Sequence, residues 1–293
     1  MFRTKCVRTH LPSGCCPSPW SASTRRVGTV CRVAIVLLLG CPGLRAQQDD
    51  FRNLARNPVG DAIKVPLVED INLDAGPYAR TSNSLQIEPI IPFQIAGQWL
   101  LIPRIVANPV VYLPDVTKSS GGSTGLGDTT VTFFLTPAHT HKLIWGVGPS
   151  LLIPTATDTS IGAGKWGLGP SFAVLAQPDW GSFGTVVQNV WSLPGNLRRT
   201  AVNQLQIEAS FSYNLPHGWY LLTAPTIYAD WTQSGGDRWL VPFGGGIGRT
   251  LNIARRGVDL NIALYSNTIR PAGQLFPKWQ MSFQCTLLYP RKP

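Results

Sequence analysis

Four short stretches of this chain hold residue types that could do chemistry. GGSTG at residues 121–125 has the G-x-S-x-G spacing of serine hydrolases, a pattern that works when its serine sits on a sharp turn from strand to helix above an oxyanion hole. Ser123 instead follows Lys118, Ser119 and Ser120 and leads into TTVTFF, which has no helical period, so the stretch reads as an external loop. GAGKW at 162–166 has the lysine of a phosphate-binding loop, but Trp166 stands where that loop needs a hydroxyl for magnesium. GGGIGR at 244–249 misses the dinucleotide spacing and opens no helix. His139 and His141 share a short turn without a neighbouring carboxylate or cysteine, and with His217 they read as turn residues. No catalytic residue, metal site or cofactor follows from these motifs.

The elements around them suggest why. Residues 1–46 carry seven basic residues and no acidic one, which leaves 18 basic against 15 acidic for the body. Seven of the ten net positive charges therefore belong to the leader, the body is near neutral, and no basic patch asks for a nucleic acid. Arg25, Arg26 and Arg32 precede the apolar run VAIVLLLG, and Ala46 offers a cleavage point, the order of a secretory signal peptide over 1–46. Eight apolar residues fall well short of the roughly 20 a spanning helix needs. Translation from Val27 or Val30 and lipidation at Cys41 are the alternatives at this end. Five of the six cysteines lie in the leader, leaving Cys285 alone in the body, so no disulfide framework is expected.

After Ala46 the chain alternates. In WQMSFQCTLLY, Trp279, Met281, Phe283, Cys285, Leu287 and Tyr289 form one face and Gln280, Ser282, Gln284 and Thr286 the other, with Leu288 the exception. VNQLQIEASFSYN and GVDLNIALYSN behave likewise. About twelve such strands are expected, near 63–73, 84–95, 99–112, 127–137, 142–154, 166–176, 180–193, 201–214, 218–231, 237–250, 257–270 and 277–290. Connections after odd strands are long and those after even strands short, the asymmetry of an up-and-down outer-membrane barrel. Trp99, Trp145, Trp166, Trp219, Trp231, Trp239 and Trp279, with Trp180 and Trp191, fall near strand ends, where aromatic rings meet a membrane interface.

Polar-face parity assigns Glu88, Arg104, Gln206, Glu208, Asp230 and Arg238 to the lumen, because charge facing lipid would cost about 2–4 kcal/mol at mid-depth. The repeated hexads WGVGPS (145–150) and WGLGPS (166–171) should form one membrane-spanning hairpin, with Gly146, Gly148, Gly167 and Gly169 leaving the inner wall bare for a solute or a folded-in segment.

NPVGDAIKVPL, IWGVGPSLLIPTATD, GKWGLGPSFAVLAQ, NVWSLPG, NLPHGWYLLTAPTIYADW and RWLVPFGGGIGR together resemble the bacterial outer-membrane transporter family that carries a neuromedin-U label and is related to the phenol-degradation meta-pathway barrels. The resemblance covers about residues 54–290. It implies an outer-membrane β-barrel passing small hydrophobic or aromatic compounds. The expectation is thus an all-β, transmembrane antiparallel barrel over 63–290 in the bacterial outer membrane. Residues 47–62 form a periplasmic or lumen-entering segment, and 291–293 a C-terminal extension. Its partners would be outer-membrane lipid, a small-molecule solute and the assembly machinery, with no nucleic acid and no cofactor. A non-transporting barrel that binds through loops 113–126 and 154–165, or less readily a membrane enzyme, is the competing class.

Overall fold

The computed structural model describes residues 46–138, 143–195, 197–253, 256–271 and 276–290. The leader to residue 45 with the expected signal peptide and Cys41, the histidines His139 and His141, and the extension 291–293 lie outside them.

A helix α1 (Ala46–Arg56) leads into β1 (Ala62–Ala75), followed by β2 (Arg80–Ile87), β3 (Phe93–Ala96), β4 (Trp99–Pro114), β5 (Gly122–Gly125), β6 (Thr129–Pro137), β7 (Leu143–Ile153) and β8 (Gly167–Ala176). The chain continues through β9 (Gly181–Ser192), β10 (Asn203–Asn214), β11 (Trp219–Thr223), β12 (Thr226–Asp230), β13 (Trp239–Ile253), β14 (Arg256–Ile269) and β15 (Trp279–Pro290). β2 with β3, β5 with β6 and β11 with β12 each continue a single line along shared neighbours, so the segments make twelve antiparallel staves. Pro89 and Pro92 break the first line and Pro225 the third, since proline gives no ladder hydrogen bond. Each stave pairs with the next, β9 pairs with β10, and β15 returns to β1 in register from Ala62↔Pro290 to Leu73↔Trp279. The sheet is a closed twelve-stranded barrel whose staves coincide with the twelve expected ones.

Connections at one end are short, as at 97–98 and 177–180, and those at the other run as long as 154–166. The first hairpin, 76–79, is tighter than expected because β1 and β2 run further than their alternation suggested. The long loops are stiffened by a repeated Asp-x-Thr/Ser turn. Asp115, Asp158 and Asp230 each accept hydrogen bonds from the amide and hydroxyl two residues on. At Asp115 the Thr117 hydroxyl, ahead of Lys118 and the Thr117 amide, pushes the carboxyl down to about 2.

Leu143, Val147, Leu168 and Phe172 point outward and stay more than 40% exposed, whereas their alternates Ile144, Gly146, Ser150, Gly167 and Ser171 are buried inside. An outer wall this apolar is suited to lipid and not to water. Trp99, Trp145, Trp180 and Trp219 lie at the short-turn end, and Trp166, Trp191, Trp231, Trp239 and Trp279 at the long-loop end. Within these bands Trp99 meets Trp145 edge-on at 6.1 Å and Trp231 meets Trp239 at 5.7 Å.

The glycines of the hexads serve different ends. A Cβ on Gly146 would sit 3.2 Å from Val59 Cγ1, so this glycine faces the N-terminal segment. Gly148 and Gly169 face backbone instead: a Cβ would fall on the carbonyl oxygens of Phe133 and Asn189. At these two positions the missing side chain permits close strand approach and does not bare the wall for a solute, contrary to the sequence expectation. Gly169→Ala should therefore cost about 1–3 kcal/mol through forced backbone movement, read as a shift in the urea midpoint of the folded barrel in detergent.

Candidate functional site

The barrel interior is divided along its axis. At the short-turn end it is filled. Helix α1 has Arg56 in its last turn, which suits the helix dipole, and Pro58 stops it. Phe51, 3% exposed, wedges beside Gly257 and Leu288. Leu288 breaks the alternation of β15 because its inward side chain meets this helix and not water. Arg52 donates to the Leu215 carbonyl at 3.3 Å, Arg56 to Asn214 Oδ1 at 2.7 Å, and Gln177 Nε2 to the Asn53 carbonyl at 2.7 Å. Arg56 also lies 4.0 Å over the Tyr220 ring. Burial lowers the Arg56 pKa, with Tyr220 and Asp259 acting against it. Beyond the helix, Val59 packs with inward-facing Leu100, Ile102, Phe134, Ile144 and Leu175 into a dry core.

At mid-depth a polar bar crosses the lumen. Arg104 on β4 binds Glu88 at 3.1 Å and Glu208 at 2.8 Å, and Glu208 sits on β10, five staves away and nearly opposite. Gln206 donates to Glu208 at 3.1 Å, Gln188 to Gln206 at 2.9 Å, and Ser150 to Gln188 at 3.1 Å. Ser150 also bonds Thr132 and Ser171. The serines that end the two hexads thus join across the β7–β8 hairpin. Their small size, with that of Thr132, leaves room for the long side chains of Arg104 and Glu208 to span the interior.

From the end of α1 at Arg56 and Pro58, past the Arg104 bar, to Asp128 and Ile161 at the long-loop end runs a chamber of about 690 Å³, the scale of a small-molecule site. Val68, Val106, Val111 and Leu222 give it aliphatic wall, Tyr228 and Tyr265 aromatic wall, and Ile161 from the loop 154–166 reaches in from above. That loop is held by Asp128, which accepts from the Ala156 and Ala163 amides, and by Arg199, which donates to the carbonyls of Thr159 and Ala163.

One seam of the wall is unpaired. β11 pairs with β13 down to Leu222↔Gly246 and β12 pairs with it again from Tyr228↔Leu240. Among the described residues no ladder pair joins 223–227 to 241–245, although the register is the same on both sides. Pro225 and Pro242 fall inside the interval, and Gly244 and Gly245 present no side chain. Thr223, Ala224, Pro225 and Thr226 all line the chamber, where a regular strand would offer only alternate residues. The Ala224 amide donates at 3.0 Å to the hydroxyl of Tyr265, inside the barrel. Phe243, 76% exposed, stands outside the seam.

Of the residues assigned to the lumen from sequence, Glu88, Arg104, Gln206 and Glu208 meet in the bar. Gly146, Gly148, Gly167 and Gly169 lie in the β7–β8 wall beside it. Asp230 and Arg238 do not reach the chamber: Asp230 caps its own turn at the end of β12, and Arg238 donates to the Gln233 carbonyl and lies 5.2 Å over Trp231. Parity specifies a face but not a height, and both residues are at the rim. Sequence reading missed Lys64, Asp70, Tyr220 and Asp259, all of which line the chamber. Asp259 accepts at 2.5 Å from both Tyr220 and Thr250. The same inward parity that marked Glu208 was available for Lys64 and Asp259.

Among curated proteins none matches the chain. Of solved structures, the COG4313 outer membrane channel of Pseudomonas putida F1 is similar at 15% identity and a TM-score of 0.59, over 80% of this chain and 97% of that one. The NanC porin (10% identity, TM-score 0.46, 78% of this chain and 99% of that one) and the CymD monoaromatic hydrocarbon channel (10%, 0.44, 83% and 93%) resemble it more loosely. The first likeness is one of fold, and the other two add nothing to it. The profile of a family described as "Putative MetA-pathway of phenol degradation" matches residues 70–266. With two thirds of its length inside that profile and a closed twelve-stranded barrel around it, the chain belongs to this family of outer-membrane β-barrels.

Proposed function

We propose that the chain is a passive outer-membrane channel for small apolar, chiefly aromatic, compounds. They enter the chamber from the long-loop end and leave sideways through the unpaired seam. The observation that carries this reading is an obstructed axis beside a stretch of wall without ladder pairing. The α1 plug closes the chamber at the short-turn end and the Arg104 bar crosses it, whereas beside it 223–227 and 241–245 share no ladder bonds. An apolar solute resting on the aliphatic and aromatic part of the chamber wall, at Val68, Val106, Leu222, Tyr228 and Tyr265, loses little on passing to lipid, so a concentration gradient suffices to drive it. The family profile that matches residues 70–266 is described by a pathway of phenol degradation, which agrees with this solute class. Lipid around the outer wall, the solute within, and the assembly machinery that inserts the barrel would be its partners.

This reading makes the chain a conduit and not an enzyme. Ser123 lies in β5 at the long-loop end, and His217 lies in the turn before β11 at the other, so these two do not form a nucleophile and base.

The seam can be closed. In a Cys285→Ser background, Thr226→Cys and Pro242→Cys occupy facing positions of the continued register, and a short bis-thiosulfonate reagent should bridge them. Toluene uptake into proteoliposomes should then fall by about tenfold, the size of effect expected for losing a route, and recover on reduction. Unchanged uptake after complete bridging would exclude the lateral exit.

A further inference from the structure

The outer side of the wall carries one polar pair on β1 and β2. Val68, Asp70, Ser84, Gln86, Ser282 and Gln284 line the chamber, so their alternates on β1, β2 and β15 point outward. Among those alternates are Glu69 and Asn83, and Asn83 Nδ2 donates to Glu69 Oε1 at 3.1 Å. Glu69 stands opposite Phe283 on one side and Leu85 on the other, with Leu67 and Ile71 next to it on the same face of β1. The pair lies within the apolar band and not at its rims. Glu69 is between Leu73, the ladder partner of Trp279, and Ile63, the ladder partner of Tyr289. Outward-facing cations are placed differently: Arg249 and Arg256 lie 5.2 and 5.4 Å over Trp219 and Tyr289, in the aromatic row of the short-turn end.

A carboxyl group facing hydrocarbon is costly to a barrel and marks a functional position. Lipid tails offer it no donor, whereas a protein surface can. Within one chain the pair is only half used. Asn83 has a second amide N–H and Glu69 a second carboxyl oxygen, and no described residue bonds either of them. A two-fold axis along the membrane normal, passing beside the pair, turns the spare donor of one chain toward the spare acceptor of the other, and does so twice. Around the pair, Leu67, Ile71, Leu85 and Phe283 present apolar surface without charge, the composition of an interface core.

We propose that the outer face of β1 and β2 is the contact between two copies of this chain in the membrane, with Asn83 of each copy donating to Glu69 of the other. β13, β14 and β15 lie between this face and the seam of 223–227 and 241–245. The dimer therefore leaves the seam against lipid, and it does not depend on the solute route.

Crosslinking in intact outer membranes tests the contact. In a Cys285→Ser background, Leu85→Cys adjoins the axis, and a short bis-thiosulfonate reagent should join it into a band of twice the chain mass. Phe172→Cys, 42% exposed on β8 and four staves away, should give no such band. Sedimentation equilibrium of the full chain in detergent then measures the strength. Glu69→Leu combined with Asn83→Leu should weaken dimerisation by about tenfold, the size of two hydrogen bonds within a bilayer. Glu69→Gln, whose carboxamide still accepts, should stay within a few-fold of wild type. Leucine suits lipid, so the double variant should fold; heat-modifiable migration checks this, and Asn83→Leu alone replaces it if it does not. A wild-type monomer, or a dimer of equal strength in the folded leucine variant, overturns the proposal. Equal crosslinking from Phe172→Cys, or a Leu85→Cys product with a different protein, overturns it as well.

Discussion

Arg104→Met should destabilise the barrel by about 3–5 kcal/mol, the cost of stranding buried charge when one partner is removed. Glu88 and Glu208 would be left facing each other within the barrel, their side chains 13% and 24% exposed, without the cation that separates them. The loss should be largely restored in the triple variant Arg104→Met, Glu88→Gln, Glu208→Gln, because neutral amides of the same shape need no counter-charge. Equilibrium urea unfolding in detergent provides the measurement. Glu208→Gln alone should cost less, since Arg104 keeps Glu88 and the amide can still accept its hydrogen bond. If Arg104→Met unfolded at the wild-type midpoint, the bar would be an incidental contact and not the structural closure of the lumen.

Removing the plug should have the largest effect on conductance. Residues 46–59 fill the short-turn end through Phe51 beside Gly257 and Leu288, and through Val59 in the dry core. Deleting them should raise single-channel conductance in planar bilayers on the order of tenfold, because a barrel of this size without its inner segment holds a water-filled lumen. Phe51→Ala is the graded version. A buried phenylalanine contributes about 3–5 kcal/mol relative to alanine, and a change of that size shifts a docked-to-undocked equilibrium by about two to four orders of magnitude. The variant should therefore flicker between the closed and open levels that the wild type and the deletion define. Wild-type conductance in the deletion would show that closure resides in the Arg104 bar alone.

The staves were legible because lipid outside and lumen inside alternate at the two-residue period of a strand, so WQMSFQCTLLY and VNQLQIEASFSYN declare their faces locally. The loop asymmetry and the tryptophan bands are local signals of the same kind. Where alternation failed, something non-local was covering the inner face. Leu288 faces α1, and Leu100, Ile102, Phe134 and Ile144 face Val59, so inward residues that should be polar are apolar at one end only. Gly148 and Gly169 were misjudged for a related reason: a missing side chain looks the same in sequence whether it admits a solute, a folded-in segment, as at Gly146, or a neighbouring carbonyl, as at Gly148.

Sequence by itself determined the architecture: twelve staves, their faces, the long and short ends, and the membrane that such a wall requires. These depend on the period of the backbone and the solvent on each side, which every strand carries within itself. Only the tertiary structure decided what the interior does. Arg104 and Glu208 are 104 residues apart and meet because five staves curve the sheet until β4 faces β10. The plug and the unpaired seam depend likewise on which elements closure of the barrel brings together. That is a matter of distance across the lumen, which no strand can specify alone.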